Sequence, residues 1–74
     1  MTVHDHQTDD ITDEVRQWLC REFASSLPES AVDDIVRTAH ADLDGQIRPD
    51  AMGEMLHRLA RFRVLRTLRA QRPI

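Results

Sequence analysis

The chain has 74 residues with a formal charge of −3, and a core drawn from so short a sequence leaves only a thin margin of stability. Its one cysteine, Cys20, excludes an internal disulfide, and no Cys and His cluster has the spacing of a structural zinc site. The first ten residues lack the basic segment and apolar run of a secretory signal, and nowhere do eighteen apolar residues run together, so a cytoplasmic protein is expected.

The charge is unevenly placed. Residues 1 to 54 hold all thirteen acids and four Arg, whereas 55 to 74 hold six Arg and no acid. All ten basic residues are Arg, a bias that points to a G and C rich genome more readily than to any chemistry.

Residues 1 to 8 read as a flexible acidic tail. Ile11, Val15, Trp18, Leu19 and Phe23 recur at spacings that align side chains on one side of a helix, and a first helix is expected over 9 to 25. Thr8 or Asp9 can cap it, and Asp9, Asp10, Asp13 and Glu14 complement its positive end. The pattern breaks at Ser25, Ser26, Leu27 and Pro28, because proline disfavours the helical region in the residue before it.

A second helix is expected from Ser30, whose hydroxyl can cap, with Asp33 in a position like that of a capping box. Val32, Ile35, Val36, Ala39 and Leu43 form its apolar stripe, and Gly45 stops it. A third and longer helix should start at Pro49 and reach about Ala70, leaving a short tail over 71 to 74. The fold class is therefore all-α, a three-helix bundle over 9 to 70 with a longer C-terminal helix. Its core is expected to be Ile11, Val15, Trp18, Leu19, Phe23, Val32, Ile35, Val36, Ala39, Leu43, Met55, Leu56 and Leu59.

The third helix shows a change of side. Met52, Met55, Leu56, Leu59 and Phe62 share a face, while Val64, Leu65 and Leu68 point almost oppositely. Either the helix bends near Phe62 and Arg63, or its last turns pack outside the chain. Gly53 and Ala60, on a third side, could permit close helix approach.

Sites of chemistry are sparse. His4 and His6 flank Asp5 in the tail, which is too few fixed ligands for zinc, and no metal is expected. His40 and His57 read as solvated. Cys20 falls about 130° from the centre of the first stripe at about 100° per residue, at an edge of the bundle, where Arg16 and Arg21 are its nearest cations. Asp33 and Asp34 belong to a solvated acidic face, and neither glycine sits in a phosphate-cradling loop. No enzymatic activity, cofactor or small-molecule substrate is expected.

Arg58, Arg61, Arg63, Arg66, Arg69 and Arg72 could neutralise phosphates, which makes nucleic-acid binding through the C-terminal helix the second reading. Against it stand the acidity of the rest of the chain, with an isoelectric point near 5.7, and the expectation that no exposed aromatic interleaves these Arg.

The series Val15, Leu19, Phe23, Leu27-Pro28, Val32, Ile35-Val36, Ala39 and Leu43, ending in the Arg-rich stretch around Leu59-Ala60-Arg61, resembles a small actinobacterial three-helix bundle dimerisation domain. That family occurs as stand-alone short chains and as an N-terminal extension on some arsenate reductases of the low-molecular-weight tyrosine phosphatase type. The resemblance covers about residues 9 to 66, while Phe62 to Ile74 departs from the pattern and this chain carries no phosphatase segment. It implies a homodimer or another protein partner. From the change of side in the third helix, Phe62, Val64, Leu65 and Leu68, with Arg61, Arg66 and Arg69, are the expected interface, Val64, Leu65 and Leu68 being buried only between chains.

Overall fold

The computed structural model describes residues 6 to 71, with side chains from Ile11 onward. Three helices, α1 (His6–Glu22), α2 (Glu29–Leu43) and α3 (Met52–Gln71), pack in every pairwise combination, and a 3-10 turn at Pro49–Ala51 leads into α3. The longer C-terminal helix is present, and the described residues contain no strand.

Helix α1 begins at His6, inside the segment expected as a tail, so Thr8 and Asp9 lie within the helix and are not its caps. It ends at Glu22, three residues early, and Ser26 and Leu27 close the turn by donating backbone hydrogen bonds to the Phe23 carbonyl at 2.9 and 3.0 Å. Helix α2 starts one residue before Ser30, with extended Pro28 as its N-cap and no side-chain capping bond. Here the chain relies on packing. Leu27 precedes the cap and Val32 is the fourth helical residue, the two positions of a hydrophobic staple, and both are buried. Gly45, the second residue after α2, turns the chain at φ 81°, a left-handed conformation that carries no Cβ penalty in glycine.

The core is built from rows of residues spaced by four. Val15, Leu19 and Phe23 form the row of α1, with half-buried Ile11 at its start; Met52, Leu56, Ala60 and Val64 form the row of α3. Val32, Val36 and Ala39 fill the space between them from α2, and Leu27 closes one end. Such rows slant across a helix by about 40° per step, and ridges of this kind seat in the grooves of neighbouring helices.

This slant corrects three expectations. Val64 does not turn away from the core: it continues the row begun at Met52 and is fully buried within its own chain. The link between them is Ala60, also fully buried, whose small side chain hides it from a search for large apolar residues. Trp18 stands beside the α1 row and not on it, and is 59% exposed. Helix α3 runs unbroken past Phe62. Gly53 is not required for close approach either, since a Cβ there would meet Ile11 Cγ2 at 3.7 Å, an ordinary contact.

Candidate interaction surface

Helices α1 and α3 run parallel, as their seam shows in chain order: Ile11 lies beside Gly53, Trp18 beside His57, and Glu22 beside Arg61. The Trp18 and His57 rings meet edge to face with centroids 5.7 Å apart, and the exposed part of the indole forms one wall of a surface notch of about 590 Å³. Arg21, Glu22, His57 and Arg61 complete it. Glu22 Oε2 accepts a hydrogen bond from Arg61 Nε at 2.9 Å and lies 2.8 Å from a second guanidinium nitrogen in an ion pair; the hydrogen bond, with the Glu22 charge, raises the guanidinium pKa above its ordinary value. His57 is half-buried and not solvated, and its Nε2, like that of His40, is out of contact with solvent and has no hydrogen-bond partner among the described residues.

Beyond this notch lies the outer side of α3. Phe62 is 58% exposed and Leu65, one turn on, is 37% exposed. Leu68, in contrast, packs against the core of its own chain, and Val64 is part of that core, so both are removed from the expected interface. The apolar residues left on the outer face are therefore Phe62 and Leu65. Trp18 adds a third exposed apolar side chain, on α1, where the sequence pattern placed a core residue.

The arginines divide. Arg61 is held by Glu22, Arg63 by Asp42 at 2.7 Å, and Arg58 by Glu54 at 3.7 Å. These acids all belong to the same chain. Arg66 borders a depression with Ile35, Thr38 and Thr67, and neither it nor Arg69 has an ion-pair partner among the described residues. Arg72 lies outside the described residues, as do His4 and the side chain of His6.

Cys20 lies at the edge of the bundle, half-buried against the core. Burial raises its thiol pKa, the nearby Glu29 charge acts in the same direction, and Arg16 only partly opposes them. A thiol in this setting is a poor nucleophile. Among the described residues no group of three His, Cys, Asp or Glu could hold a metal ion, and no helix is long and apolar enough to cross a membrane. In comparisons with family models, curated proteins and solved structures, no significant match to this chain was found.

Proposed function

We propose that this chain is a non-catalytic protein-protein interaction module that forms a homodimer through the outer face of α3. The observation that carries this reading is the exposure of Phe62 and Leu65, neighbours at one-turn spacing on a helix whose opposite side is fully packed. Burying a fully exposed side chain of this size contributes roughly 1.5 to 3 kcal/mol, and with Phe62 58% and Leu65 37% exposed the four side chains across a two-fold interface supply about 3 to 6 kcal/mol. Association costs of about 4 to 15 kcal/mol are of the same order. The dimer is thus weak and dependent on concentration.

The exposed Phe62 amid arginines also favours the second reading, since an aromatic ring between guanidinium groups is what base stacking requires. Its weakness is that acids of the same chain already engage Arg58, Arg61 and Arg63. Sedimentation equilibrium from micromolar to millimolar concentration tests the first reading. A dimer should form, and Leu65→Asp should weaken it at least tenfold with helicity unchanged, a factor of ten corresponding to about 1.4 kcal/mol. A strict monomer at millimolar concentration defeats the proposal. Binding of labelled single-stranded RNA or duplex DNA that persists at about 150 mM salt would favour the second reading in its place.

A further inference from the structure

The outer ridge of α3 carries Glu54, Arg58, Arg61, Phe62, Leu65 and Arg69, all exposed. Glu54 is the one acid of this helix and stands in its first turn, while Arg69 stands in its last. The ridge therefore runs from one acid, Glu54, through Arg58 and Arg61 to the apolar Phe62 and Leu65, and ends on a basic residue, Arg69. A ridge of this pattern is complementary to itself in one orientation only. Laid parallel on a second copy, Arg58 would face Arg58 and Arg69 would face Arg69, and like charges directly opposed are unfavourable.

We infer that two copies pair antiparallel along α3, about a two-fold axis centred between Arg61 and Phe62. The inference rests on the dimer reading above and adds its orientation and register. In that register Glu54 lies opposite the partner's Arg69, and Arg58 opposite the partner's Leu65. Arg61 lies opposite the partner's Phe62. Each contact occurs twice. Arg69 has no ion-pair partner in its own chain among the described residues, and the contact that Glu54 would share with it, 3.7 Å from Arg58, is long and exposed and therefore weak. The aliphatic stem of Arg58 can cover Leu65, as long cationic side chains do along apolar surface. Arg61, already fixed by Glu22 at 2.8 Å, presents its guanidinium to the Phe62 ring with little further ordering to be done. Antiparallel helices also bring opposite ends of their dipoles together.

The placement of charge within α3 makes the register testable by reversal. Glu54→Arg puts two cations opposite one another at both symmetric positions, and Arg69→Glu does the same with two anions. At low ionic strength each single variant should dimerise about tenfold more weakly than the parent chain, given the modest strength of exposed ion pairs and their two-fold repetition. The double variant Glu54→Arg with Arg69→Glu should recover to within about threefold, because the charges are exchanged and the complementarity is kept. Single variants as strong as the parent, or a double variant no stronger than either single, would overturn the antiparallel register while leaving the dimer itself standing. Assembly growing beyond a dimer would overturn it too, since head-to-tail contacts do not close. A parent chain monomeric at millimolar concentration would instead remove the dimer reading on which the register depends.

Discussion

The two sides of α3 both carry large apolar residues and do opposite things with them. On the inner side Met52, Leu56, Ala60 and Val64 are at most 8% exposed. On the outer side Phe62, the largest apolar residue of the helix, is 58% exposed. Position on the slanting row decides burial, and size does not. A small alanine on the row is core, and a phenylalanine off it remains on the surface.

Substitution on the inner row should break this contrast most severely. Leu56→Ala leaves a cavity where the side chain is fully buried, and should cost about 2 to 5 kcal/mol, measurable by urea denaturation. In a domain this short that is a large part of the total stability. The change at Phe62 provides the opposing measurement: Phe62→Ala should shift monomer stability by no more than about 0.5 kcal/mol while weakening any dimer. If instead it destabilised the monomer as Leu56→Ala does, the distinction between the two sides would fail.

A middle-sized effect is expected at Ala60. Ala60→Leu forces extra volume into a fully buried site on the same row and should cost about 1 to 3 kcal/mol, even though leucine is the better core residue elsewhere. The smallest effect has the opposite sign. At Gly53, where a methyl group would meet Ile11 at an ordinary distance, Gly53→Ala should raise stability by about 0.4 to 1 kcal/mol by restricting the unfolded chain. A loss of stability there would show that the seam between α1 and α3 is tighter than its geometry indicates.

The sequence identified the three helices, the turn at Leu27 and Pro28, the stop at Gly45 and the start of the last helical segment at Pro49, because each rests on a local preference of the backbone or on strong apolar periodicity. It misplaced Trp18 and Val64 for a shared reason. Averaging apolar residues over an arc rewards large side chains near the centre, whereas the packed rows follow a single spacing of four and admit Ala60. Leu27 was legible in principle, as an apolar residue standing just before the start of α2 with Val32 at the matching staple position. The in-chain partners of Arg61 and Arg63 were not, since they depend on the angular placement of α1 and α2 around α3, which periodicity in one helix does not contain.

The order of the helices has a further consequence, for kinetics. Six residues join α1 to α2, and eight, including the 3-10 turn, join α2 to α3, so both antiparallel contacts form between segments close along the chain. Only the docking of α1 on α3 closes a longer loop. Domains with so local a topology fold in about microseconds to milliseconds. In the proposed dimer, a subunit that lost its fold on release would regain it within that time, so refolding would not limit the exchange of subunits.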